Sequence, residues 1–205
     1  MAEIALPYFV ARPSEPVTAG VVVIHEGGGI SPQLLRVCQR LAAEGYAAIA
    51  PDLFFRAGGT GAADFGVLIG SMERDATAAD LAESAAHLRA LGATKVGVTG
   101  FCMGGLQTYR AAVTTSTFDA AVGFYGSRIA SELGSPTCPT LLFFGDNDPY
   151  IPMAEIEAVR QHHPESVVYE GAGHGFFRDG SESYDEAAAV DAWTRLLAHF
   201  GTHLR

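Results

Sequence analysis

The chain has 205 residues, enough for one ordinary domain with a sizeable core. Hydrophobic residues make up 48% and charged residues 18%, which excludes a disordered chain. A formal net charge of −10 excludes the basic footprint that a sequence-independent nucleic-acid binder needs to neutralise phosphates.

The N-terminal stretch MAEIALPYFV lacks the charged start and apolar core of a secretory signal, and no apolar run approaches the ~20 residues needed to span a bilayer. The expectation is a cytoplasmic protein with no membrane and no nucleic-acid partner, and a monomer, since no exposed apolar stripe is evident. GVVVIHE (20–26) is a β-branched run, the pattern of a strand buried on both faces. SPQLLRVCQRLAAEG follows, with Ser31 placed as an N-cap, Pro32 at the first helical position and Gly45 at the exit. YAAIAPDL (46–53) reads as a second strand. Residues 54–74 are glycine-rich and read as a long irregular loop that could serve as a lid.

DATAADLAESAAHLRALG (75–92) predicts a helix, KVGVTG (95–100) a strand, and MGGLQTYRAAV (103–113) a further helix. FDAAVGFYG (118–126), PTLLFFGDND (139–148) and SVVYEGAG (166–173) predict strands, with helices over 153–162 and 183–200. Short apolar strands alternating with helices of this length imply βαβ units: an α/β fold with a mainly parallel central sheet and helices on both faces. In such sheets the chemistry lies beyond the carboxyl ends of the strands. Cys102, Asp148 and His174 all fall at such ends.

Gly100-Phe101-Cys102-Met103-Gly104 is G-x-C-x-G, the cysteine form of a strand-to-helix nucleophile elbow. A thiol there also feels the positive end of the following helix, which favours thiolate. The alternative is a buried structural cysteine beside a glycine-rich turn. Asp148 (in GDNDPYIP) and His174 (in GAGHGFFR) complete the order nucleophile, acid, base. Asp146 competes with Asp148 for the acid, and spacing alone leaves that choice open. Cys38 and Cys138 read as packing residues, and an odd count of three widely spaced cysteines argues against a disulfide framework. In HEGGG (25–29) the glycines let backbone N–H groups approach a developing oxyanion, with Gly27 and Met103 as donors. Glu26, a carboxylate finishing a buried strand, is a candidate functional acid or base. No metal spacing is present, and no cofactor or metal is implied.

Taken in order, VVVIHEGGG, RLAAEGYAAIAPDLFFR, KVGVTGFCMGG, AVGFYG, GDNDPYIP and GAGHGFFR resemble the dienelactone hydrolase family, the cysteine-dependent branch of the α/β-hydrolases, across nearly the whole chain. The resemblance implies a single α/β-hydrolase domain over 1–205 that cleaves ester or lactone bonds, of carboxymethylenebutenolidase type, through a thioester acyl-enzyme. It makes Cys102 the nucleophile, Asp148 the acid and His174 the base. It also makes Glu26 the carboxylate that activates the thiol, Arg178 the arginine that holds that carboxylate and meets an anionic substrate, and Tyr125 a pocket aromatic. One departure is visible: residues 57–73 contain no Arg or Lys, where family members acting on dienelactone carry a further carboxylate-binding arginine. Two other readings stay open, a cysteine–glutamate enzyme or redox sensor of the PfpI type and a non-catalytic binding protein of the same fold.

Overall fold

In chain order the computed structural model, which describes residues 6–205, contains β1 (Tyr8–Ala11), β2 (Ala19–Ile24), α1 (Pro32–Ala43), β3 (Ala47–Pro51), α2 (Phe65–Gly70), α3 (Arg74–Ala90) and β4 (Lys95–Phe101). It continues with α4 (Met103–Thr114), β5 (Ala120–Phe124), β6 (Thr140–Gly145), α5 (Met153–His162), β7 (Val167–Tyr169) and α6 (Glu186–Leu204). These divide in sequence into two compact units, between Val96 and Gly97.

In the first unit, every residue of β2 is buried, as its β-branched run requires of a strand covered on both faces. β3 pairs with it in parallel, Gly20 opposite Ala47 and Val22 opposite Ile49. The crossover between them is α1, started by the Ser31 hydroxyl accepting the Leu34 N–H at 3.2 Å and by Pro32 at the first position. Leu34, Val37, Cys38 and Leu41 form its buried side. α3 packs so close to β2 that a side-chain carbon on Gly20 would come within 3.0 Å of Leu88. β1 was not foreseen; it adds to β3 antiparallel, Tyr8 opposite Pro51. Residues 54–74 are not wholly irregular. They hold a 3-10 turn at Phe55–Ala57 and the six-residue α2, whose single buried residue is Leu68.

In the second unit β4, β5, β6 and β7 run parallel, Gly97 opposite Ala120, Ala121 opposite Thr140 and Phe143 opposite Val167. Side chains alternate along a strand. A side-chain carbon on Gly97 would press on Phe200 and Leu204 of α6, whereas one on Gly100, three residues on, would meet the Gly104 carbonyl and Thr108 of α4. α4 and α6 therefore cover opposite faces of these strands. α6 begins at Glu186 because the Asp185 side chain accepts the Ala188 N–H at 3.0 Å, and it continues past Phe200 to the buried Leu204. Among the described residues no helix is long and apolar enough to cross a membrane.

Candidate active site

The turn from β4 into α4 places Cys102 at φ 54°, ψ −116°, a conformation that L-residues rarely adopt. Three contacts hold it there. The Cys102 N–H donates to the Phe124 carbonyl at 3.0 Å, and the Cys102 carbonyl accepts from Gly105 at 2.9 Å and Leu106 at 3.3 Å. Two glycines make the turn possible: a side-chain carbon on Gly100 would come within 2.3 Å of the Gly104 carbonyl, and one on Gly105 within 2.3 Å of the Phe124 carbonyl. Cys102 is half-buried, and the adjacent Met103 opens the helix.

His174 lies beyond β7, near enough to the Cys102 thiol to be influenced by it. Its Nδ1 bonds Asp148 Oδ2 at 2.8 Å, and the Asp148 side chain is fully buried. The other oxygen of that carboxylate, Oδ1, accepts the Tyr150 N–H at 2.8 Å. Burial alone would depress the imidazole, but the hydrogen bonds and charges of Asp148 and Cys102 outweigh it and hold His174 raised to about 9. Asp146, the competing acid, is exposed and accepts the Gly171 N–H at 2.6 Å, so it serves the turn after β7.

Tyr125 and Tyr150 stand edge-on to the His174 ring, with centroids 5.1 Å and 5.0 Å away. Tyr125 is 1% exposed and sits at φ 37°. Its N–H donates to the Phe143 carbonyl at 2.7 Å, and its ring backs the imidazole. Tyr150 is 69% exposed and was not singled out from sequence. The only sequence signal for it is the turn chemistry of D-P-Y, which predicts the backbone bond to Asp148 and not the ring. Arg178 is exposed, and its Nη2 would lie 3.5 Å from a side-chain carbon on Gly175, the residue after His174. Burial pushes Cys38 up to about 12 and raises Cys138 as well.

The first unit carries the other sequence-derived candidates. β2 ends at Ile24, and His25 is completely buried. Its Nδ1–H donates to the Glu26 carbonyl at 2.7 Å while Nε2 accepts the Leu53 N–H at 3.1 Å. Glu26 is half-buried, and its carbonyl also accepts the Gly29 N–H at 2.9 Å, closing a tight turn with Gly29 at φ 79°. The segment after β3 lies on this turn: Thr60 Oγ1 accepts the Ile30 N–H at 2.9 Å, and the Phe65 ring covers Gly27, where a side-chain carbon would overlap it at 1.7 Å. Neither Thr60 nor Phe65 was singled out from sequence. Arg56, which flanks the cation-free stretch, is engaged by both carboxylate oxygens of the buried Asp80, one of them at 2.7 Å from Nη2. Among the described residues no cluster of three His, Cys, Asp or Glu side chains could hold a metal ion.

Residues 6–204 match the model of the dienelactone hydrolase family. A provisionally named carboxymethylenebutenolidase of Salmonella typhimurium is 32% identical over 224 residues, covering 97% of this chain and 83% of that protein. Another from Synechocystis sp. is 34% identical, covering 94% and 91%. A crystal structure of a provisionally named dienelactone hydrolase from Klebsiella pneumoniae superposes with a TM-score of 0.87 at 32% identity, covering 97% of this chain and 93% of that one.

Proposed function

The chain belongs to the dienelactone hydrolase family, has the α/β fold of that family and is an ester or lactone hydrolase, and we propose that it works through Cys102, His174 and Asp148 by way of a thioester. The observation that carries this reading is His174, bonded to the buried Asp148 and raised in part by the Cys102 thiol, with that cysteine on a strained strand-to-helix turn. In the free enzyme an imidazole raised to about 9 holds its proton at neutral pH, ready for the leaving group.

Cys102 Sγ attacks the ester carbonyl, and the carbonyl π electrons move to oxygen. The Met103 N–H, at the start of α4 beside Cys102, is assigned to this oxyanion, such a donor being worth about 3–4 kcal/mol of barrier. The tetrahedral species collapses, the C–O bond to the leaving group breaks, and His174 gives its proton to the departing alkoxide. A neutral thioester remains. The sulfur no longer carries charge, so one of the influences that raise His174 is gone, and the imidazole can now take a proton from water. The resulting hydroxide attacks the thioester, the C–S bond breaks, and acid and thiolate are released with His174 again protonated.

Cys102→Ala is expected to abolish turnover of p-nitrophenyl acetate while the melting temperature stays within a few degrees of the parent. Retained turnover in this variant overturns the mechanism. Iodoacetamide titration separates catalysis from mere binding: one thiol, Cys102, should react at neutral pH, and His174→Ala should slow it. An inert thiol indifferent to His174 would favour a binding protein instead.

A further inference from the structure

We propose that Tyr150 is a specificity-determining residue, which favours esters whose alcohol portion is aromatic over esters of small alkyl alcohols. The inference rests on the reading of His174 as the group that gives a proton to the departing oxygen. Nδ1 of that imidazole is taken by Asp148, so Nε2 is the nitrogen left to carry the proton. The transfer needs a hydrogen bond, which brings the leaving oxygen to within about 3 Å of Nε2. The Tyr150 ring stands against the same imidazole, with centroids 5.0 Å apart and planes at 82°. Of the two tyrosine rings at His174, Tyr125 is 1% exposed and Tyr150 69%. The alcohol portion, which must leave to solvent, therefore passes Tyr150, and a flat apolar group on it has an aromatic surface to pack against.

The ring is placed there by its main chain and not by its own burial. The Tyr150 N–H donates to Asp148 Oδ1 at 2.8 Å, the next residue, Ile151, is buried, and Pro152 leads into α5 at φ −57°. Among the described residues the Tyr150 hydroxyl has no hydrogen-bond partner. A large aromatic side chain is thus held beside the histidine by a fixed backbone, with most of its apolar surface open. That surface carries no charge, so it selects by contact area: a benzyl group covers much of it and a methyl group almost none.

The test compares kcat/KM for benzyl acetate and methyl acetate, followed by titration of the released acid. The acyl group is the same in both and the two alcohols are of similar acidity, so the ratio reads contact with the alcohol portion. Tyr150→Ala should lower the benzyl-to-methyl ratio by about tenfold, the scale of one lost aromatic contact. Tyr150→Phe should keep the ratio, because the ring and not the hydroxyl makes the contact. The ratio of methyl hexanoate to methyl acetate should stay the same in both variants. A change that merely disturbs His174 slows both acetates alike, so a benzyl-to-methyl ratio unchanged in Tyr150→Ala overturns the inference. An equal fall in the hexanoate ratio, or loss of the benzyl preference in Tyr150→Phe, overturns it as well. Cys102→Ala, run beside these, reports separately: turnover surviving there sinks the thioester mechanism, while the benzyl-to-methyl ratio still judges Tyr150.

Discussion

Two opposite influences act on His174. Burial favours the neutral imidazole, while Asp148 on Nδ1 and Cys102 on the other side favour the cation, and the cation wins, with a value near 9. If the thiolate supplies part of that shift, Cys102→Ala should lower the His174 value measured by NMR titration. Asp148→Asn, which removes the carboxylate charge, should lower it too. A value left at about 9 in both variants would show that neither neighbour holds the proton. The sign for stability follows from the direction. The folded chain binds this proton more tightly than the unfolded chain, whose histidines titrate near 6.5. The associated stability is fully present below about pH 6.5 and is lost as pH rises through about 9. Tyr150 is a separate matter, because its backbone N–H, not its ring, holds Asp148. Tyr150→Ala should therefore leave the His174 titration raised, and a collapse of that titration would assign the ring a larger part.

At the scale of elements, the ends of β2 and β3 are joined by a histidine that does no chemistry in the proposed mechanism. His25 is completely buried, donates to the Glu26 carbonyl and accepts from Leu53, so it bridges the glycine turn to the start of the 54–74 segment. Burial lowers its pKa, opposed by the Glu26 carbonyl and by Asp52. The stability that depends on neutral His25 is thus present above about 6.5 and lost as pH falls through the lowered folded value. His25→Ala should cost about 1–3 kcal/mol in chemical denaturation, since the buried Leu53 N–H is left unsatisfied while the Glu26 carbonyl keeps the Gly29 N–H; a cost below about 1 kcal/mol would mean water replaces the lost bond. A second asymmetry lies between the 3-10 turn and α3. Asp80 is buried and Arg56 is half exposed. Arg56→Met leaves a buried carboxylate unpaired, at about 3–5 kcal/mol, whereas Asp80→Asn leaves an arginine that water can reach and should cost less.

These elements also explain what was legible in the sequence. The buried strands announced themselves by β-branched runs, and the candidate site residues Cys102, Asp148 and His174 by their position just beyond strand ends. β1 did not, because it is four residues long, half exposed and bracketed by Pro7 and Pro13. α2 was hidden because a Gly at its second and last positions is a poor helix signal. The choice between Asp146 and Asp148 needed hydrogen-bond geometry, since both lie in the same loop. Phe65 escaped notice because nothing local marks a ring that lies over a glycine nearly forty positions earlier.

For the molecule as a whole, 23 acidic residues against 13 Lys and Arg give a field that opposes any anionic substrate. That field is long-ranged at low salt, with a screening length of about 30 Å at 0.01 M, and short at 0.15 M, about 8 Å. The kcat/KM for a carboxylate-bearing ester should rise with added NaCl over this range, by about threefold or more, as repulsion is screened. A neutral ester of the same length feels no such force and should change by less than about twofold. The comparison has a third outcome with its own meaning. If the anionic ester loses rate as salt is added, a local cation outweighs the net charge, and Arg178, exposed beside the His174 turn, is the residue to replace first. Arg178→Gln should then abolish the salt dependence of the anionic ester and leave that of the neutral one unchanged. Screening experiments of this kind read the field at the site directly, and so decide whether the acidic surface or one arginine governs which esters arrive.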